Sequence, residues 1–406
     1  MILSELFPGY AGDRASEAIN GITADSRKVQ PGFVFAAMQG VVTDGRKFIG
    51  KAIEAGAVAV MGEGLPELAG AARVDVANAR LALAEASARF YPVQPANIVA
   101  ITGTNGKSST VDFLRQIWNS AGLSAASMGT LGAIGPSGSI DLGHTTPDPV
   151  AIHATLQTLA EDGVTHAAME ASSHGLAQYR LDAVRLSAVA FTNLTQDHLD
   201  YHNTMDEYRA AKLRLFSELA PKGCAAVVNA DSDQRLFFET AAQDAGLDII
   251  SVGWRGADLK IEELMPKAIG QRLFLDWRGE KAAIDLPLIG EFQALNALTA
   301  AGLALASGLE LQAVATGMSE LEPVKGRLEY VGETKDGAGV FVDYAHTPAG
   351  LDVLIRAARP HTAGRLVVVF GCGGDRDRGK RPLLGFDPGY GSGGGRAVLL
   401  VSGPQV

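Results

Sequence analysis

The segment "NIVAITGTNGKSST", residues 97–110, constrains the fold more than any other. An apolar run of strand length enters a glycine-bounded loop, and Gly-Lys-Ser then opens a stretch that can be helical. A strand passing to a helix through a short loop is the repeating unit of parallel α/β sheets, in which ligands sit beyond the carboxyl ends of the strands. Such a loop suits phosphate: backbone N–H groups cradle it, a lysine adds charge and a hydroxyl can meet magnesium. The long form of the loop, G-x-x-x-x-G-K-[ST], would place its first glycine at position 101, where this chain has Ile101. Here the loop is shortened, from Gly103 to Ser108.

The alternation continues through "THAAMEA", "LSAVAFTN" and "GCAAVVNA", apolar runs of parallel-strand length separated by helical stretches. Residues 93–325 are therefore expected to form a central, doubly wound P-loop domain of α/β class. Before it, residues 1–92 read as a smaller α/β domain, with "GITADSRKVQPGFVFAAM" as strand, turn and strand and "NARLALAEASARFY" as a closing helix. "PVQPANI" is the expected linker. A third unit, 326–406, begins near Gly326, where "VFVDYA" and "RLVVVFGCGG" flank the helical "PAGLDVLIRAAR". It reads as an incomplete Rossmann-like domain. From about residue 384 the tail "GFDPGYGSGGGRAVLLVSGPQV" is glycine-rich, has no helical period and offers one short strand, "RAVLLVS". At 406 residues, two or three domains fit the length.

A hydrophobic fraction of 47% with 20% charged residues describes a soluble globular chain. The net charge of −10 argues against nucleic acid as a partner, because phosphate backbones call for a surplus of Lys and Arg. Cys224 and Cys372 have no C-x-x-C partner, which suits a reducing compartment, and cytoplasm is the expected location. No uninterrupted apolar stretch reaches about 18 residues, so no membrane association is expected.

Polar residues at the strand ends form the expected site. Thr104, Asn105, Gly106, Lys107, Ser108 and Ser109 follow the first strand, Glu170 the second, and Asn193 with "QDHLDYH" the third. Glu170 alone reads equally as a working carboxylate or a solvated strand end. His198 and His202 stand at i, i+4, but Leu199 occupies the position where a zinc-protease helix needs glutamate. Magnesium, by contrast, prefers oxygen ligands beside substrate phosphates and can admit an imidazole. In "YRAAKLRLFSEL" the apolar positions Tyr208, Ala211, Leu215, Phe216 and Leu219 make a helical stripe, and Lys212 lies within it. A lysine there ordinarily snorkels to water. The alternative is a carbamate on its amine, an anion able to sit near magnesium.

Together with "TADSRKVQPGFVFAA", "HTTPDP", "MEASSHGLAQYRLD", "FTNLTQDHLDYH", "YRAAKLRLFS", "VDYAHTPAGL" and "GCGGDRDRGKRPL", in that order, the chain resembles the ATP-dependent Mur ligases of peptidoglycan synthesis. The resemblance runs from about residue 20 to 384 and points to the members that extend UDP-N-acetylmuramoyl-L-alanyl-D-glutamate. "TGTNGKSST" alone is shared with sister ligases and folylpolyglutamate synthase; "TTPDP" and "SSHGL" disfavour the latter. The resemblance implies that Ser26 and Arg27 hold the uridine nucleotide and that Thr145, Thr146, Asp148, Ser173, Gln178 and Arg180 grip the muramoyl dipeptide. It implies ATP contacts from Gly103 through Ser109 and from Asn296, Arg327 and Asp343; His346 beside the last reads as a turn histidine. Ser108, Glu170, His198 and Lys212 as carbamate are the implied magnesium ligands, with Lys107, Glu170, His198 and Lys212 as the catalytic set. The implied activity is amide formation through an acyl phosphate, in a monomer that uses ATP, magnesium, the dipeptide precursor and meso-diaminopimelate, or less favourably L-lysine.

The chain departs from that pattern at its end. The Asp-Asn-Pro-Arg motif of diaminopimelate-adding members does not occur, and the sequence after Leu384 does not resemble the family. A truncated or frame-shifted third domain is therefore expected, its strands lacking partners. This leaves a non-catalytic remnant binding UDP-sugar and ATP as the alternative to a ligase.

Overall fold

The computed structural model describes residues 1–40, 43–335, 337–345, 348–370 and 396–401. They build three sheets. The first is wholly parallel, in the order β1 (Gly21–Thr23), β2 (Phe33–Ala37), β3 (Ala57–Gly62), β4 (Ala72–Asp75). It is accompanied by α1 (Leu3–Leu6), α2 (Ile49–Glu54) and α3 (Ala79–Phe90). Alternate residues of β2 serve opposite faces: Val34 joins Leu3, Leu6, Met61 and Leu83, while Phe35 joins Ile49, Ala52 and Val60. Helix α3 starts where the Asn78 side chain accepts the Arg80 and Leu81 N–H groups.

The central sheet has eleven strands. In chain order its elements are β5 (Asn97–Thr102), α4 (Lys107–Ser120), β6 (Ala125–Gly129), β7 (Gly132–Gly135), β8 (Gly138–Ile140), α5 (Pro149–Glu161), β9 (His166–Glu170), α6 (Ser173–Ala177), β10 (Ala188–Phe191), α7 (Leu199–His202), α8 (Met205–Arg214), β11 (Ala225–Asn229), α9 (Arg235–Ala245), β12 (Asp248–Gly253), β13 (Leu259–Pro266), β14 (Gln271–Trp277), β15 (Glu280–Leu286), α10 (Glu291–Ala306) and α11 (Leu311–Ser319). Across the sheet the order is β15-β14-β13-β12-β11-β10-β5-β9-β6-β7-β8. The seven neighbours β13-β12-β11-β10-β5-β9-β6 pair in parallel, and antiparallel strands, β14 and β15 at one edge and β7 and β8 at the other, close the sheet. Within β5, Val99 and Ile101 pack with Trp118 and Leu298 on one face, whereas Ile98 and Ala100 pack with Phe191 and Val228 on the other. Burial on both faces explains why the parallel strands read as unbroken apolar runs.

The third sheet runs β16 (Glu329–Glu333), β17 (Gly339–Asp343), β19 (Arg396–Val401), β18 (Arg365–Phe370), with α12 (Pro348–Ala358) between β17 and β18 in sequence. Strand β19 comes from the glycine-rich tail and pairs in parallel with both β17 and β18. This corrects the expectation that the third-unit strands lack partners: "RAVLLV" is apolar and rich in strand formers, and it fills the gap between them. Residues 371–395, with Cys372 and "GCGGDRDRGKRPL", and His346 lie outside the described residues. The third sheet is fastened to the central unit. His361 Nε2 accepts the Gly290 N–H at 2.9 Å, and its Nδ1 lies 2.8 Å from the Lys267 carbonyl. Ile289 and Phe292 pack with Phe341, Leu351 and Leu354. Among the described residues no helix is long and apolar enough to cross a membrane.

Candidate active site

The phosphate-type loop leaves β5 with two residues in conformations that favour glycine. Gly103 has φ +151° and Gly106 +87°. A Cβ on the first would sit 2.0 Å from Thr192 Oγ1 and on the second 2.2 Å from Asn296 Oδ1, so side chains are excluded by contact as well as by backbone. The neighbouring β10 end fixes the loop: Thr104 N donates to the Asn193 carbonyl at 2.8 Å, and Asn105 N to Asn193 Oδ1 at 3.0 Å. Helix α4 then begins at Lys107 with its first N–H groups aimed into the loop, an anion-binding arrangement.

Glu170 ends β9 only 2% exposed. Its Oε1 accepts from Ser108 Oγ at 2.9 Å and from Thr130 N at 2.8 Å. Among the described residues it has no ion-pair partner. A buried carboxylate with no cation in contact, touching a serine hydroxyl, is an oxygen donor set that fits magnesium. The backbone leaves room for it at Gly129, where a Cβ would meet Glu170 Oε1 at 2.1 Å.

Two lysine amines face this region. Lys107 Nζ donates to the Gly103 and Thr104 carbonyls at 3.0 and 2.9 Å; burial lowers its pKa, and Glu170 and Asp197 oppose that shift. Lys212, 1% exposed, does not snorkel. Its Nζ donates to the Gly103 carbonyl at 2.7 Å and lies 4.6 Å from the centre of the Tyr208 ring. Burial, and then the charge of Lys107, holds its amine well below the ordinary lysine range.

His198 stands at the entrance to α7 with φ +52°, its side chain 47% exposed and its ring 3.4 Å from Asp197. It contacts the rings of His174, at 4.8 Å, and Tyr208, at 6.2 Å. His198 is the residue before α7, in a left-handed conformation, and His202 N donates to its carbonyl at 3.0 Å. Among the described residues no group of three or more His, Cys, Asp or Glu is placed to hold a metal. His174 is pushed down to about 4 by burial and then by His198 and His202.

The residues expected to grip the dipeptide gather beside Glu170. Thr146 Oγ1 donates to the Glu170 carbonyl at 2.9 Å, and Thr145 Oγ1 shares a 3.0 Å hydrogen bond with Thr130. Ser173 is 1% exposed, and among the described residues its Oγ has no partner. Arg180 donates to the Thr146 carbonyl at 2.6 Å and to Gln178 Oε1 at 2.8 Å. Asp148 has a structural task, capping α5 by accepting the Ala151 N–H at 3.1 Å. The residues expected to contact ATP from α10 and from the third unit lie along neighbouring hydrogen bonds. Asn296 donates to Gln293, which donates to the Arg327 carbonyl; the Asp343 carboxylate accepts the Leu328 and Ala345 N–H groups, and burial raises its pKa.

Ser26 and Arg27 stand apart. The Arg27 guanidinium, 81% exposed, is paired with Asp25 at 2.7 Å. A cavity of about 350 Å³ lies instead beyond the carboxyl ends of β2 and β3, lined by Met38, Gln39, Gly40, Glu63, Ala79 and Arg80. None of these was singled out from the sequence, although the strand-end rule applied to the first sheet would have found them. Arg80 joins this cavity to the central site, donating to the Gln39 carbonyl at 2.9 Å and to Gln178 Oε1 at 3.4 Å.

Comparison with known proteins bears on the family and the fold. Residues 18–93 match the Mur ligase family catalytic domain, 101–304 the Mur ligase middle domain and 326–386 the Mur ligase glutamate ligase domain. The UDP-N-acetylmuramoyl-L-alanyl-D-glutamate--2,6-diaminopimelate ligase of Bradyrhizobium diazoefficiens is 49% identical over 375 residues, 91% of this chain and 77% of the relative. The ligase of the same name from Caulobacter vibrioides is 50% identical over 391 residues, 94% and 80% of the two chains. A solved structure of a ligase of this name superposes with a TM-score of 0.83 at 28% identity, covering 99% of this chain and 93% of that one. MurF ligase from Thermotoga maritima in complex with ADP, at 16% identity and TM-score 0.65 over 95% and 94% of the chains, shares the fold. The chain belongs to the Mur ligase family.

Proposed function

We propose that this chain is an ATP-dependent ligase that adds meso-diaminopimelate to UDP-N-acetylmuramoyl-L-alanyl-D-glutamate in peptidoglycan synthesis. The observation that carries this reading is the near-50% identity to ligases of that name over nine-tenths of the chain. The first unit, 1–92, takes the UDP-sugar; the central unit, 93–325, takes ATP; the third, 326–406, takes the amino acid. The enzyme acts as a cytoplasmic monomer.

A carboxylate is a poor electrophile and must be activated. Its oxygen attacks the γ-phosphorus of ATP, the bond to ADP breaks, and an acyl phosphate forms. The incoming amine attacks the acyl carbon, and the tetrahedral intermediate expels phosphate and loses a proton to give the amide. The loop from Gly103 to Ser109 supplies N–H donors for the phosphates, and Lys107 swings from its loop carbonyls onto the transferred group. Ser108, Glu170, His198 and carbamylated Lys212 would hold magnesium, which would neutralise phosphate charge when bound. Carbamylation joins the Lys212 nitrogen to CO2 and releases a proton; the low amine pKa keeps that nitrogen nucleophilic. Thr145, Thr146, Ser173, Gln178 and Arg180 orient the dipeptide, the unpartnered Ser173 hydroxyl being free to bond it. Asp148 sets the start of α5 beneath them. Asn296, Arg327 and Asp343 complete the nucleotide site, and Ser26 and Arg27 flank the uridine.

The test is phosphate release from ATP in the presence of the dipeptide precursor, with meso-diaminopimelate, L-lysine or neither, and mass analysis of the product. Release and a tripeptide product only with meso-diaminopimelate are expected. Release with no amino-acid-dependent product contradicts the reading.

A further inference from the structure

Helix α8 carries a second buried cation two residues beyond Lys212. Residues so spaced project to roughly opposite sides of a helix. Lys212 faces the phosphate loop, and Arg214 faces the turn of residues 176–182. The Arg214 side chain is 12% exposed and grips that turn at three points. It donates to the Leu176 carbonyl at the start, its guanidinium lies 4.1 Å from the centre of the Tyr179 ring in the middle, and it pairs in bidentate fashion with Asp182 at the end, at 2.6 and 3.2 Å. A bond to Glu218 at 2.6 Å ties the same group back to its own chain segment.

The turn needs such support. Tyr179 has φ +57° and Ala183 φ +65°, left-handed conformations that cost energy for residues with a side chain and persist only where surroundings enforce them. Gln178 and Arg180 flank Tyr179, so their side chains depend on that backbone. Gln178 accepts from both Arg180 and Arg80 and donates to Tyr201 at 3.0 Å.

We propose that Arg214 is a positioning residue for the muramoyl-dipeptide substrate. It holds the Tyr179 turn, and with it Gln178 and Arg180, at a fixed offset from the loop that Lys212 touches. The assignment rests on the reading of Gln178 and Arg180 as dipeptide contacts. Lysine at 214 keeps the charge but loses the fork and the ring contact.

The test titrates the full chain by calorimetry with UDP-N-acetylmuramoyl-L-alanyl-D-glutamate and, separately, with ATP. Arg214→Lys is expected to weaken precursor binding about tenfold and leave ATP binding within about twofold; Asp182→Asn does the same, and the double variant is no weaker than the worse single one. Precursor affinity within about twofold of wild type in Arg214→Lys, or equal losses for both ligands, overturns the proposal. Should Arg214→Lys fail to fold, Asp182→Asn reads the same link. Arg180→Lys separates the underlying reading: wild-type precursor affinity in that variant means that the dipeptide grip itself is misassigned.

Discussion

Lys107 and Lys212 converge on one acceptor, the Gly103 carbonyl, at 3.0 and 2.7 Å. Two buried ammonium groups so placed repel; burial lowers the pKa of both, and the Lys107 charge lowers that of Lys212 further. Carbamylation converts the Lys212 end of this contact from cation to anion and turns repulsion into attraction. Ligation in buffer stripped of CO2 should therefore run several-fold slower, and added bicarbonate should restore it. Lys212→Arg keeps a cation that cannot react and should lose about a hundredfold or more in rate, comparable to loss of a major electrostatic group. A rate indifferent to CO2 sinks the carbamate.

Gly106 offers a separate test of the loop. Alanine there must adopt φ +87° and place Cβ against Asn296 Oδ1. The backbone cost is about 1–2 kcal/mol, and relief of the clash displaces either the loop or Asn296. Gly106→Ala should weaken ATP binding at least about tenfold while leaving binding of the UDP-dipeptide unchanged. Calorimetric titration of each ligand reads the two effects apart.

Glu170→Gln preserves shape and an acceptor oxygen for Ser108 and Thr130 while removing the charge. If that buried carboxylate serves a cation, activity should fall about a hundredfold and the magnesium concentration for half-maximal rate should rise, with thermal unfolding shifted little. Unchanged magnesium dependence would show that Glu170 is only a hydrogen-bond acceptor for the β6–β7 turn.

What the sequence reveals here follows from which residues are buried on both sides. Strands β5, β9, β10 and β11 have apolar centres because both faces are buried, and the polar residues at and just beyond their ends mark Ser108, Glu170 and Asn193 directly. Strands β13 to β15 have one wetter face; in β13 Leu259 and Ile261 are buried while Lys260 and Glu262 are exposed, so the segment shows no apolar run in the sequence. Lys212 was ambiguous for a related reason: a helical stripe says which way a side chain points, not whether it finds a carbonyl when it arrives. The cavity at Arg80 is legible only through the strand-end rule applied to the first sheet, because its lining is divided among the ends of β2 and β3 and the start of α3, which folding brings together.

His153 gives the chain a pH dependence of stability outside the candidate site. It is fully buried on α5, and its Nδ1 lies 3.3 Å from Gln94 Nε2, a donor, so the ring proton belongs on Nε2, 3.4 Å from the Asp182 carbonyl. The neutral ring thus satisfies both neighbours, whereas the charged ring sets two donors against each other at Gln94. Burial, with a smaller contribution from Arg185, lowers its pKa from the ordinary 6.5 to about 4. The unfolded chain therefore takes up a proton first as pH falls. The contribution is complete above the unfolded value, is lost progressively between 6.5 and about 4, and totals about 3 kcal/mol. Urea unfolding across that range should show the decline. His153→Leu should be less stable at neutral pH, because Gln94 and Asp182 lose a partner, yet its stability should vary less with pH. An unaltered slope in the variant would assign the acid sensitivity to other groups.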